Sequence, residues 1–440
     1  MSKNSIVDNA QPESLKQVFG LNTLVIYGVG DILGAGIYAV VGKIAGLSGS
    51  AVWISFLVAL IVAAFTALSY AELGSRFPKS GGVAYFVQQA FRTDWFSILV
   101  GWLMFCTCLV SMATLSKAFS GYLTTFAPMI PAWLIILGLF FSLAIVNFWG
   151  MRESSALNIF CTCLEVSGLI VVIVVSTLFV TGGGTVATGT SATEVGWAQI
   201  FQGAALAFYA FIGFEDIVNV SEEVKDPQRN VPRAIILALS IAGVVYILVS
   251  WLATRVLTPA ALAASSAPLL DVVAQAQPNF PRVVFTFIAL FAVLNTVLLN
   301  FVTASRLLFG MAREGLLPAW LGKLHSRRQT PYRTLFVILP IVIFLALSGT
   351  LQFLAGTTAT LILAMFTLVN LSLFIIKRRE PQTGGFHVPA VIPLLALISN
   401  LVLVAFASRE SYILAAVFAG VGMILILLQT AFRGRRRITG

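Results

Sequence analysis

Five carboxylates fall within or beside apolar stretches of this chain: Asp31, Glu72, Glu165, Glu215 and Asp216. A charge at the centre of a membrane helix costs about 2.5–3.5 kcal/mol on insertion scales, so each should face a partner or a cavity. Glu72 precedes "GSRFPK" and is expected to pair with Arg76, one helical turn on. Asp31 has two readings of equal weight, an acceptor for free backbone N–H groups or a working charge. Glu165 is the lone charge in "SSALNIFCTCLEVSGLIVVIVV". A carboxyl enclosed there can take up and lose a proton, or hold a cation with hydroxyls such as those of Thr303 and Ser305. Glu215 and Asp216 follow Gly213 after the single residue Phe214, Glu215 as a second proton-carrier candidate and both as ligands for amines.

Other reactive side chains offer less. Cys106 with Cys108, and Cys161 with Cys163, are spaced two apart on apolar stretches and point to different helix faces, so neither pair chelates a metal or closes a disulfide. They read as packing residues. His325 and His387 fall in loops, which leaves no histidine cluster for a metal; no cofactor and no catalytic constellation are expected.

The acids at 31, 215 and 216 lie beside glycines that a continuous helix would avoid. "GVGDILGAGIYAVVG", residues 28–42, carries glycine at 28, 30, 34, 36 and 42, each costing roughly 1 kcal/mol against alanine in a helix interior. Gly30 and Gly34 also fit a small-xxx-small packing pattern. "FYAFIGFEDIVNVSEE" has Gly213 at the matching place of a second segment. Interrupted apolar segments at corresponding positions of two halves point to a binding site built from inverted repeats. Unwinding at Gly34-Ala35-Gly36 would leave free N–H groups and a positive dipole end for a carboxylate. The free carbonyls of Ile32 and Leu33 would suit an ammonium group. Together these ends would receive a zwitterion such as an amino acid.

The elements that must position these groups are membrane helices. Of 440 residues 59% are hydrophobic and 10% charged, against about 25% charged in a soluble domain. Apolar runs recur at 19–45, 49–74, 95–120, 130–149, 155–181, 198–222, 231–256, 284–312, 333–349, 352–376, 389–408 and 411–432, each able to cross a core roughly 30 Å thick. The polar start "MSKNSIVDNAQPESLKQ" has no cleavage-site pattern and is expected to remain. Placing it in the cytoplasm puts 22 of the 27 Lys and Arg on that side; Lys43, Lys117, Arg255, Arg282 and Arg409 are the exceptions. The basic balance therefore reports topology by the positive-inside rule, with no nucleic acid implied. The longer outer loops "TGGGTVATGTSATEVG" and "TPAALAASSAPLLDVVAQAQPNFPR" read as small-residue linkers.

Four stretches, "GVGDILGAGIYAVVGKIAG", "YAELGSRFPKSGGVAYFVQQAF", "FYAFIGFEDIVNVSEEVKDPQRNVPRAI" and "SRLLFGMAREGLLPAWLGKLH", resemble the amino acid–polyamine–organocation transporters with the leucine-transporter-type fold. The resemblance implies an all-α integral membrane protein of about twelve helices. It comprises a cytoplasmic segment 1–18, a first repeat 19–181, an inverted second repeat 198–376 with helices 1 and 6 broken, two further helices in 389–432, and a basic tail 433–440. Ile32, Gly34, Ala35 and Gly36 resemble the segment holding the substrate backbone. Tyr209, Ile212 and Gly213 correspond to the opposite wall, Phe214 to an aromatic gate and Asn300 to a residue facing the substrate side chain. Some sodium-independent members place a lysine near Glu165, where this chain carries an acid.

The expectation is secondary active transport of amino acids across the cell membrane by alternating access, proton-coupled or sodium-independent, with Glu165, Glu215 and Asp31 as coupling candidates. A polyamine or organic-cation carrier and an amino acid exchanger of the same fold are the alternatives. Expected partners are the substrate, lipids and protons, with no obligate protein subunit.

Overall fold

The computed structural model describes residues 17, 19–78, 82–149, 155–184, 195–313, 317–325, 330–380 and 384–438. Most of the expected N-terminal segment 1–18 and of the loop 181–196 lies outside them. The chain forms α1 (Leu21–Ile32), α2 (Ala35–Ser48), α3 (Val52–Arg76), α4 (Gly82–Phe91), α5 (Asp94–Phe126), α6 (Ala132–Trp149), α7 (Ser155–Thr181) and α8 (Trp197–Ala207). There follow α9 (Pro227–Val256), α10 (Pro259–Ala264), α11 (Pro268–Ala276), α12 (Arg282–Arg313), α13 (Leu335–Ser348), α14 (Leu351–Arg379), α15 (Val391–Ala405) and α16 (Arg409–Ile438).

Eight helical runs reach the length and hydropathy of a membrane crossing. The longest, Ala35–Arg76, holds the second half of the first crossing and the whole of the second, joined by a tight turn at Gly49–Ala51. Leu21–Ile32 supplies the first half of the first crossing, and the shorter apolar helices Ala132–Phe148, Tyr332–Ser348 and Val391–Ala405 bring the crossings among the described residues to twelve. Large apolar side chains lie exposed along the outside, among them Phe141 and Ile145 on α6, Val174 and Leu178 on α7, Phe344 on α13 and Ile398 on α15. Such a band is untenable in water and is what hydrocarbon solvates. The protein is an all-α, multi-pass membrane protein.

The loop 258–282 departs from the linker expectation. Thr258 caps α10 by accepting the Ala261 N–H at 3.2 Å, with Pro259 in the first turn. Pro268 starts α11, whose Leu269, Leu270, Val272 and Val273 are buried. The Ser265 hydroxyl donates to Asp271 at 2.5 Å and fixes the corner between them. Small residues hid this pattern, because they pack by close approach. A Cβ on Gly42 of α2 would meet the Leu262 carbonyl.

Glu72 is fully buried and carries more than the expected Arg76 partner at 2.6 Å. Lys377 of α14 reaches it at 2.7 Å, and the Val388 N–H donates to it at 2.8 Å. This network locks the ends of α3 and α14 together. The chain entering α1 is tied in turn to the segment beyond the second break by a parallel bridge between Phe19 and Val224. There Phe19 N–H donates to Glu223 O at 3.0 Å and Lys225 N–H to Phe19 O at 2.9 Å.

Candidate substrate-binding site

The first crossing breaks between α1 and α2. Only Leu33 and Gly34 lie outside helix; Ala35 and Gly36, expected within the unwound stretch, form the first turn of α2. The gap is short because neighbouring helices satisfy its ends. The Ala35 N–H donates to Thr296 Oγ1 of α12 at 3.3 Å, and the Tyr246 hydroxyl of α9 donates to the Ile32 carbonyl. Early N–H groups of a helix have no intrahelical acceptor, so the α2 start presents donors and a positive dipole end.

The sixth crossing is interrupted over a longer stretch. After α8 the chain tightens through Phe208–Phe211, extends at Ile212, and reaches Gly213 at φ 130° before a tight helical run over Phe214–Glu223. That positive φ demands glycine. So does the surrounding space, since a Cβ on Gly213 would stand 2.9 Å from the Asp31 carbonyl carbon and 3.1 Å from the Ile32 N. Glu215 closes the turn from within: its Oε2 accepts the Gly213 N–H at 2.8 Å.

The two breaks are therefore packed against each other. Gly213 lies on the Asp31–Ile32 backbone, and a Cβ on Gly36 would meet the Ala210 Cα at 2.8 Å. Tyr246 joins them, its hydroxyl lying between the carbonyls of Ile32 and Ala210, the latter at 3.0 Å. A buried tyrosine hydroxyl needs such partners, and nothing in the sequence around Tyr246 marked it for this place.

Around the crossing lies a cavity of about 90 Å³, bounded by both breaks and by α5, α12 and α14. It has room for several waters, each needing about 10–15 Å³ by the same measure. Ile32, Gly34, Ala35, Gly36, Tyr209, Ile212, Gly213 and Asn300 line it, together with Asp31 and Glu215. Two expected residues do not. Phe214 is fully buried in an aromatic cluster outside the lining, 5.7 Å from the Tyr70 ring and 5.2 Å from Phe366. Glu165 lies behind the break, 1% exposed, where it accepts from Asn295 at 3.3 Å. Of the hydroxyls paired with it in expectation, Thr303 lines the cavity, whereas Ser305 is bonded to Thr334 at 2.7 Å.

The hydroxyls of Thr107, Ser111 and Thr296 are lining residues that motif reading missed. Thr107 with Ser111 on α5, and Thr296 with the expected Asn300 and Thr303 on α12, repeat at three- and four-residue spacing on one face of otherwise apolar helices. Ser111 joins two expected residues, with Tyr209 Oη at 3.4 Å and the Asn300 Nδ2 donating to it at 3.4 Å. Asn300 also donates to the Thr296 carbonyl at 3.0 Å. Asp216 completes the set, and no Lys, Arg or His lines the cavity among the described residues. Cys106, Cys108 and Cys161 are buried free thiols and Cys163 is exposed. No metal-ligating cluster occurs among the described residues.

A polytopic helical bundle whose two broken crossings meet at a buried polar cavity defines a membrane transporter. The chain belongs to the amino acid permease family of the amino acid–polyamine–organocation superfamily, whose model matches residues 19–428. It is 27% identical to the branched-chain amino acid permease BcaP of Bacillus subtilis, over 94% of this chain and 93% of that protein. It is 28% identical to the methylthioribose transporter of the same organism, over 89% and 87%. To the mouse cationic amino acid transporter 4 it is 29% identical, over 84% of this chain and 61% of the relative.

Proposed function

We propose that this permease carries amino acids across the cell membrane by alternating access, as a proton-coupled or sodium-independent transporter with both termini cytoplasmic. The reading rests on the packing of the two breaks: Gly213 against Asp31 and Ile32, Gly36 against Ala210. The substrate carboxylate takes the donor end of α2 at Gly34, Ala35 and Gly36. The ammonium takes the carbonyl end of α1, where the Ile32 oxygen keeps a second lone pair beside its bond from Tyr246. Residues 19–181 and 198–376 form the two inverted repeats, with 389–432 outside them. The relatives' names span branched-chain and cationic amino acids and a thiosugar; side-chain choice falls to the wall formed by Tyr209, Ser111 and Asn300, away from the two half-helix ends.

A carrier of amines is the second reading, favoured by three carboxyls and no basic group around the cavity. Uptake of labelled amino acids into proteoliposomes under imposed pH and sodium gradients separates these readings. Uptake that follows the pH gradient, or needs neither gradient, with no competition by putrescine, is expected. Uptake driven by sodium alone, or putrescine displacing every amino acid, overturns the proposal.

A further inference from the structure

Two kinds of contact meet at the inner end of α3. One kind is polar and enclosed. Arg76 and Lys377 of α14 donate to the fully buried Glu72 carboxylate at 2.6 and 2.7 Å, and the Val388 N–H donates to it at 2.8 Å. Lys377 also donates to the Val388 carbonyl at 2.6 Å. Ser75, three residues beyond Glu72, accepts the Phe386 N–H at 3.0 Å and donates to the Gln228 carbonyl, at the start of α9, at 2.8 Å. Deeper in the bundle, Asn370 of α14 and Asn400 of α15 both donate to Thr66 of α3, at 3.1 and 3.3 Å. Parting these helices would strand a buried carboxylate and several donors, which is a costly way to open a bundle.

The other kind is apolar. The run over Phe214–Glu223 meets α3 and α14 through the Phe214 ring, set against Tyr70 and Phe366, and through Val218, which lies over Gly74. A Cβ on Gly74 would stand 3.1 Å from Val218 Cγ1 and 4.0 Å from Val218 Cβ. Apolar faces of this kind separate without stranding a charge or a donor. The run is held closely to the first crossing instead. A Cβ on Gly28 would meet the Ile217 side chain, Gly213 lies on the Asp31–Ile32 backbone, and two backbone bonds join Phe19 to Glu223 and Lys225. The chain leaves the run for α9 through Asp226, whose φ of 48° marks a sharp change of direction just before the anchored Gln228.

We infer that the inner end of α3 is the boundary between a fixed and a moving body, and that the way from the cavity to the cytoplasm opens along its Gly74 face. The run over Phe214–Glu223 and the chain entering α1 swing away from that face together. The polar clamp of α3, α14, the segment entering α15 and the start of α9 stays shut throughout the cycle. Gly74 and Ser75, neighbours in sequence, therefore face opposite sides of the boundary: Gly74 the moving run, Ser75 the clamp. Asp226 is the point where the moving run hinges on the clamp.

The inference rests on the transport reading, and the test keeps the two apart. Full-length protein carrying one of two cysteine pairs is reconstituted in proteoliposomes. Uptake of an equimolar mixture of the twenty labelled amino acids is followed before oxidation, after it, and after reduction. Gly74→Cys with Val218→Cys joins α3 to the run, where the 4.0 Å between Cβ positions falls within the span of about 3.5–4.5 Å that a disulfide bridges. Ser75→Cys with Phe386→Cys joins two parts of the clamp. Mass spectrometry counts the bridges formed, and the parent protein under the same oxidant accounts for its four free cysteines. The first bridge should abolish uptake, with reductant restoring it, and the second should leave uptake as it was before oxidation. Uptake that survives the first bridge, or a reversible loss with the second, overturns the inference. Where a pair does not fold or does not join, Lys377→Gln carries the test, because it leaves Glu72 with Arg76. A clamp that stays shut predicts a lower melting temperature with an unchanged KM for uptake, whereas a shifted KM shows the clamp opening in the cycle and overturns the inference. Absence of uptake by the untreated parent protein overturns the transport reading itself.

Discussion

The breaks in the first and sixth crossings arise from the same residue type and are held in opposite ways. At the first, Leu33 and Gly34 interrupt the helix and the ends are satisfied from outside, by Thr296 of α12 and Tyr246 of α9. At the sixth, Tyr246 also reaches the Ala210 carbonyl, but the turn itself is closed by its own chain: Gly213 turns at φ 130° and Glu215 caps it two residues on. A break satisfied by neighbouring helices changes when they move. A break closed by its own side chain keeps its shape and can move as a unit. Under the proposed transport reading, the first break is the one to respond to substrate and the sixth the one to move as a fixed wall.

Substitutions that disturb one break and spare the other probe this division. Gly213→Ala should have the largest effect. Backbone strain at a positive φ alone costs about 1–3 kcal/mol, and the added Cβ meets the backbone of Asp31 and Ile32, which cannot turn aside. Thermal unfolding in detergent should show a marked drop, with no uptake in proteoliposomes. Tyr246→Phe comes next, because it removes the donor shared by the Ile32 and Ala210 carbonyls, for roughly 1–3 kcal/mol. It should lower the melting temperature and weaken substrate binding together.

Glu215→Ala should cost about 1 kcal/mol through the freed Gly213 N–H. Glu215→Gln, which keeps an acceptor oxygen, should unfold like the parent protein. A glutamine variant as unstable as the alanine one would show that the charge, rather than the bond, closes the sixth break. Asn300→Ala is the mildest: it removes part-buried bonds to Ser111 and to the Thr296 carbonyl, which the helix already satisfies, so its stability effect should stay below about 1 kcal/mol. Its readout is a changed ranking of amino acids in competition uptake, with no change in how the breaks are held.

Much of this arrangement was legible before any coordinates. Twelve apolar runs gave the crossings, since length and hydropathy leave a membrane helix few alternatives. Glycines beside acids at 34 and 213 marked both breaks, because a continuous helix has no use for either residue there. What escaped depends on distance through space. Tyr246 is one tyrosine in an apolar helix until its hydroxyl is seen between two carbonyls from crossings one and six. The lining hydroxyls of Thr107, Ser111 and Thr296 were visible as polar residues at helical spacing, but which face turns inward is set by packing. The contacts of the Phe214 ring with Tyr70 and Phe366 likewise depend on helices far apart in sequence. The linker beyond α9 hid two helices because alanine, serine and proline suit both loops and closely packed turns.

Recognition of the substrate backbone by the two half-helix ends can be tested on purified protein by thermal unfolding. The probes are one amino acid that stabilises it, that amino acid's methyl ester, and the amine lacking the carboxyl group. Ligands that bind only the folded state raise the unfolding temperature. Two ends that receive a zwitterion predict stabilisation by the free amino acid and by neither derivative. Equal stabilisation by the amine, or none by any of the twenty amino acids, would contradict it.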